Sequence, residues 1–117
     1  MEDTVADCLF CKIANKEVDS QLVYESDDVV AFVDINPAAP THVLVVPKRH
    51  IASAQELTRA DGDLLGEMFE AMGRIASDAG LEGGWRVVTN TGPEAGQSVH
   101  HLHFHVIGGR RLGWPPG

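Results

Sequence analysis

The sequence predicts an α+β domain: a five-stranded antiparallel sheet with one long helix and a short N-terminal helix. Three observations carry this expectation. Three short β-type runs come first, one long amphipathic stretch follows, and two more β-type runs close the chain. The connections are mostly hairpin-like, which favours antiparallel pairing over the long crossovers of a parallel sheet. A length of 117 residues, 44% of them hydrophobic, suits one packed domain over residues 1–117.

Residues 1–7 are polar and expected to be flexible. Leu9–Ala14 reads as one or two helical turns, with Leu9, Phe10 and Ile13 on one side. Leu22–Glu25 and Val29–Val33 read as strands around an Asp27-Asp28 turn. Asp34-Ile35-Asn36-Pro37 breaks the second strand, and His42–Val46 forms a third, stopped by Pro47. The long helix is expected over Leu57–Ala79. Leu64, Leu65, Met68, Phe69, Met72, Ile75, Ala76 and Ala79 recur at three- and four-residue spacing. Thr58 with Asp61 offers a start and Gly80 an end. Arg86–Asn90 and His101–Ile107 complete the strands, and residues 110–117 form a tail.

Nine Lys and Arg against 17 Asp and Glu leave a formal charge of −8. That balance argues against a general binder of nucleic acid or anionic membranes. The longest aliphatic run, Val43–Val46, is far short of a membrane span, and residues 1–20 lack a signal-peptide pattern. A cytoplasmic location is therefore expected. An anionic ligand would have to be met by a local site.

Four of the six histidines fall within residues 100–105. On a strand, His101, His103 and His105 share one face, about 6.6 Å apart by backbone rise, while Leu102, Phe104 and Val106 face the core. Three imidazoles on one face suit metal ligation or acid–base and nucleophilic chemistry. His100 is out of phase and receives no role. The preceding Asn90–Ser98 segment contains Gly96, which frees the backbone for a close approach, and Ser98, a hydroxyl donor. A run of amides there can cradle a phosphate. Cys8 and Cys11 form a Cys-x-x-Cys pair with no strand before it, which weakens a redox reading. The pair reads as half a zinc site completed by histidines, or as two reduced, partly buried thiols.

The run His101-Leu102-His103-Phe104-His105-Val106-Ile107 resembles the histidine triad signature, His-φ-His-φ-His-φ-φ with φ apolar. The similarity extends through Phe32–Ile35, Pro40–His42, Val45–His50, Gly96–Val99 and Gly108–Gly117. The Trp114-Pro115-Pro116-Gly117 ending is similar to the nucleotide-binding (Hint) branch rather than the Fhit-type dinucleotide hydrolases. The resemblance implies a homodimer with a shared ten-stranded sheet, purine nucleotide binding, and hydrolysis of nucleoside 5′-phosphoramidates at the α-phosphorus. It places the nucleophile on His103, with His105, His42 and Ser98 as further catalytic residues. By the same resemblance Asn90, Gly96, Gln97, Ser98 and Val99 surround the phosphate, and Asp34 accepts from the ribose. Leu9, Phe10, Ile13, Phe32, Ile35 and Leu44 form the base-and-ribose pocket. Two features depart from many relatives: His100 and the cysteine pair. Some bacterial members, and the related galactose-1-phosphate uridylyltransferases, combine such a pair with two histidines. That implies one structural Zn²⁺ per chain on Cys8, Cys11, His50 and His101, and no catalytic metal.

The chemistry requires one His103 nitrogen to attack phosphorus while the other holds a proton against an acceptor such as a backbone carbonyl. His105 or Ser98 can protonate the leaving amine. Three competing readings are a metallohydrolase using His103 as a ligand, a non-catalytic nucleotide-binding scaffold, and a dinucleoside polyphosphate hydrolase with the same triad.

Overall fold

The computed structural model describes residues 5–117. In chain order the regular elements are α1 (Leu9–Ala14), β1 (Leu22–Glu25), β2 (Val29–Val33), β3 (Thr41–Pro47), α2 (Gly62–Asp78), β4 (Trp85–Val88) and β5 (Phe104–Gly108). The strands form one antiparallel sheet in the order β1-β2-β3-β5-β4. The expectation of a loose N-terminal segment falls partly on residues 1–4, outside the described residues. Val5–Asp7 form a turn closed by the Cys8 amide on the Val5 carbonyl at 3.0 Å.

The central strands are apolar at almost every position because both sheet faces are covered. On one face, Val29, Ala31, Val43, Val45, Phe104 and Val106 pack with Met68, Met72 and Ile75 of α2. On the other, Val30, Phe32, Leu44 and Val46 pack with Phe10, Ile13 and Ala14 of α1. Met68 and Met72 are fully buried. Burying such a side chain contributes about 1.5–3 kcal/mol each. The period-two pattern of residues 101–106, which run into β5, therefore sorts them between two layers. Leu102, Phe104 and Val106 enter the α2 layer, and the alternating histidines fall on the α1 side.

Three boundaries differ from the sequence expectation by more than one residue. The long helix begins at Gly62, not Leu57; Ala54–Glu56 and Arg59–Asp61 are separate 3-10 turns. Leu57 and Thr58 are extended, with ψ of 143° and 177°. Thr58 and Asp61 do form a capping box, but around the second short turn. The helix ends as expected at Gly80, whose φ of 73° suits glycine. Gly80 donates to the Ser77 carbonyl and Leu81 to that of Ala76, which satisfies two terminal carbonyls.

Strand β4 spans Trp85–Val88 rather than Arg86–Asn90, so Asn90 lies in the following loop. Strand β5 begins at Phe104 rather than His101. The ladder stops there because β3 and β4 pair only as far as Phe104 and His105, respectively. His101–His103 continue beside the sheet, held by the Leu102 amide on the Ile51 carbonyl at 2.6 Å. No helix among the described residues is long and apolar enough to cross a membrane.

Candidate active site and metal centre

The α1 side of the sheet carries two adjoining histidine clusters. The first joins three distant segments. Cys8 caps the N-terminus of α1, accepting the Cys11 amide on its sulfur, and Cys11 lies one turn further on. His50 follows β3, and His101 precedes β5. Their four donor atoms all lie within 4.8 Å of one another. Cys8 Sγ is 3.3 Å from His101 Nδ1, and Cys11 Sγ is 3.4 Å from His50 Nδ1 and 3.5 Å from His101 Nδ1.

Zinc bonds of about 2.3 Å to sulfur and about 2.05 Å to nitrogen, at the tetrahedral angle, place the two donors about 3.6 Å apart. The observed separations match that edge, and two thiolates with two imidazoles make a closed donor set. The arrangement is therefore that of a structural zinc site. His101 is prepared for it. Its Nε2–H donates to the Pro47 carbonyl at 2.7 Å, so a neutral ring presents the Nδ1 lone pair to the cysteines. Burial lowers the His101 pKa to about 4, partly opposed by that hydrogen bond, so the ring is neutral near pH 7. Burial pushes the Cys11 thiol above its ordinary range, so a bound cation must displace its proton.

The second cluster contains Asp34, His42 and His105, whose donor atoms also lie within 4.8 Å of one another. Its hydrogen-bond polarity is the reverse of the first. The Ala38 amide donates to His42 Nδ1 at 2.9 Å. An amide can only donate, so His42 Nδ1 holds a lone pair and its proton is on Nε2. That Nε2–H donates to His105 Nδ1 at 2.8 Å, with Asp34 Oδ2 at 3.4 Å. Burial, with His103 and His42 nearby, lowers His105 to about 4. Neutral His105 therefore carries its proton on Nε2. While the Ala38 amide holds Nδ1, a metal on His42 Nε2 would displace that proton and leave an imidazolate. The pattern favours a chain of oriented N–H donors over metal ligation.

His103 lies between the clusters. Its Nδ1–H donates to the His101 carbonyl at 2.7 Å. A carbonyl only accepts, so Nε2 of the neutral ring is left with its lone pair. Phe10 meets the His103 ring edge-on, with centroids 5.0 Å apart and planes at 88°. Phe10 sits inside the Cys-x-x-Cys turn, so zinc ligation and support of His103 share one short helix. The His103 and His105 rings are also 5.0 Å apart.

A cleft of about 580 Å³ opens over these rings. Leu9, Phe10, Ile13, Phe32, Ile35 and Leu44 supply its apolar lining. Asp34, Ser98, Val99, His103 and His105 also border it. Asn90, Gly96 and Gln97 are not among the residues that line it. The Gly96 and Gln97 amides already donate to the Pro93 and Gly92 carbonyls. The Gln97 side chain accepts from the Gly92 amide and donates to the Ala52 and Val99 carbonyls. Gln97 thus shapes the loop, and Ser98 and Val99 are the loop residues that reach the cleft. His100 is exposed.

Sequence reasoning did not include Val18, Asp19, Ser20, Gln21, Val33 or Asn36, which complete the cleft wall. The 18–21 segment lies beside the end of β2, tied by the Val33 amide on the Gln21 carbonyl. That pairing has no local sequence signal.

Residues 15–112 match the family model described as the HIT domain, and the chain belongs to that family. The two cysteines lie before the matched span. An uncharacterized HIT-like protein of Synechococcus elongatus is 48% identical over 111 residues, covering 95% of this chain and 97% of its own. A protein of Zea mays described as a 14 kDa zinc-binding protein is 46% identical over 114 residues, covering 93% and 87%. A solved HIT family hydrolase from Legionella pneumophila superposes with a TM-score of 0.93 at 44% identity, covering 95% of this chain and all of that one. A histidine triad protein from Clostridium difficile gives 0.90 at 44% identity, with 97% of each chain covered.

Proposed function

We propose that this chain hydrolyses nucleoside 5′-phosphoramidates at the α-phosphorus through a nucleotidyl-His103 intermediate. The observation that carries the reading is the His103 Nδ1–H bond to the His101 carbonyl, which leaves Nε2 as a nucleophile bordering the cleft. The hydrolase description of the Legionella relative supports the reaction class.

In the first step His103 Nε2 attacks phosphorus and the P–N bond to the leaving amine breaks. The neutral His105 Nε2–H and the Ser98 hydroxyl are side-chain donors that border the same cleft as His103. His105 is suited to donate a hydrogen bond to a non-bridging phosphoryl oxygen. The departing amine takes up a solvent proton relayed through the Ser98 hydroxyl or His105, and the water that attacks in the second step returns one to solvent. In the second step water attacks phosphorus, the His103–P bond breaks, and nucleoside monophosphate leaves. The purine and ribose occupy the apolar wall, with Asp34 Oδ2 as the ribose acceptor; its Oδ1 already accepts the Asn36 amide. The bound zinc supplies a structural brace and no chemistry at phosphorus.

The same reading includes a homodimer. Strand β4 is a sheet edge and Trp85 on it is 40% exposed, which supports pairing through that edge. Reduced thiolates at the zinc site suit a cytoplasmic setting. The whole chain is taken to work as one domain.

The test is hydrolysis of adenosine monophosphoramidate by wild type and His103→Ala, with light scattering for mass. Turnover and a trapped phosphorus-linked His103 support the reading. Nucleotide binding without turnover in the wild type would replace it with a binding role.

A further inference from the structure

The tautomer of the His42–His105 pair originates outside the cleft, in the loop between β2 and β3. That loop reads Pro37-Ala38-Ala39-Pro40. Its two prolines have no amide hydrogen, and Ala38 provides the N–H that reaches His42 Nδ1. The orientation of Ala38 therefore decides which His42 nitrogen is protonated.

Ala38 is gripped from its other side by Arg110. The Arg110 guanidinium directs Nε–H at 3.3 Å and an Nη2–H at 2.8 Å to the Ala38 carbonyl. Its Nη1 is anchored on the Arg111 carbonyl at 3.0 Å. Gly109 packs against the same loop. Its φ is 95°, and a Cβ there would fall 2.9 Å from the Pro40 Cβ. The exit of β5 thus returns to clamp the loop that faces the strand's own His105.

We infer that Arg110 is a positioning residue for the His42–His105 pair, acting through the Ala38 carbonyl to keep the Ala38 amide on His42 Nδ1. The chain of donors runs from the Ala38 amide to His42, from His42 Nε2–H to His105 Nδ1, and from His105 Nε2–H toward the cleft. When Ala38 turns away, His42 is free to hold its proton on Nδ1. Its Nε2 lone pair then faces His105 Nδ1, which must take up a proton on that side. The cleft then meets a lone pair where it had an N–H donor. A phosphoryl oxygen in the cleft is repelled instead of bound. Lysine can reach the carbonyl with one donor but lacks the planar fork.

The consequence for turnover rests on the phosphoramidate reading above; the consequence for the tautomers does not. The experiment is a long-range ¹H–¹⁵N histidine correlation on zinc-loaded wild type, Arg110→Met and Arg110→Lys, with kcat, KM and melting temperature measured on the same samples. Wild type is expected to show Nε2–H for both His42 and His105. Arg110→Met should show mixed tautomers at both residues and a kcat lowered about 10-fold, less than complete loss of an oxyanion donor. Arg110→Lys should lie between, and melting temperature should not follow the tautomer change. Unchanged tautomers in Arg110→Met overturn the inference whatever the activity. A kcat that falls only in proportion to melting temperature also overturns it. If wild type lacks phosphoramidase activity but the tautomers mix in Arg110→Met, the positioning role stands and the substrate reading fails.

Discussion

Two clusters, each containing a pair of histidines, lie on one face of this sheet, and their hydrogen bonds assign them opposite work. In each, side-chain donor atoms lie within 4.8 Å of one another. His101 gives its second nitrogen to a carbonyl, of Pro47, and so turns a lone pair toward the cysteines. His42 receives an amide, of Ala38, and so turns a proton toward His105. Proximity of ligand-type side chains therefore does not define a metal site. The partner of the far nitrogen decides whether an imidazole faces the centre as a base or as a donor. His103 belongs to both regions: its Nδ1 is held by the carbonyl of a zinc ligand, and its ring stands beside His105.

The largest effect that tests this division is expected from His103→Ala. It should lower phosphoramidate turnover by at least about 10³-fold, as loss of a nucleophile does. Nucleotide affinity by calorimetry should change far less, because the apolar wall remains. Equal loss of both would remove the distinction between His103 and its surroundings.

Cys8→Ser/Cys11→Ser should remove zinc and lower stability by about 3 kcal/mol or more, roughly 10 °C in melting temperature. Turnover by the fraction still folded should fall less steeply than in His103→Ala. The comparison breaks if the thiol variant, still folded, matches His103→Ala in kcat.

Phe10→Ala joins the two regions in one experiment. Loss of a buried phenylalanine costs about 3–5 kcal/mol, and the edge-on contact with His103 is lost as well. Phe10→Leu should restore most of the melting temperature but less of kcat. Equal recovery of both would reduce Phe10 to packing alone.

The smallest effect is in acid. Folded His105, facing His103, His42 and Asp34, stays neutral down to about pH 4, while an unfolded histidine protonates near 6.5. The unfolded chain thus binds the extra proton between those values. Stability should decline as pH falls through that window, with no such contribution above it. Metal-loaded His105→Asn should show a shallower decline than wild type in urea titrations; parallel curves would contradict the shift.

The alternation of β5 and the apolar runs of β2 and β3 were legible because a sheet assigns faces by parity. Leu102, Phe104 and Val106 could only enter the core together. The Cys8–Cys11 spacing pointed to half a metal site, and the family resemblance supplied His50 and His101. The start of α2 was misread because Leu57 continues the apolar spacing while Thr58 and its neighbours turn away from the helix. The loop over residues 90–98 was only partly legible. Gly96 has the expected freedom, with φ of 88°, but its amide closes a turn, and Gln97 braces that turn. The polarity of the two clusters was not legible. It depends on the Pro47 carbonyl and the Ala38 amide, backbone groups that every sequence contains and only the fold aims.

The central claim is tested most directly by metal stoichiometry after gel filtration, from protein reconstituted with two equivalents of zinc. Wild type and His42→Asn should each retain one zinc per chain, and Cys8→Ser/Cys11→Ser should retain none. A second retained zinc in wild type that disappears in His42→Asn would contradict the account.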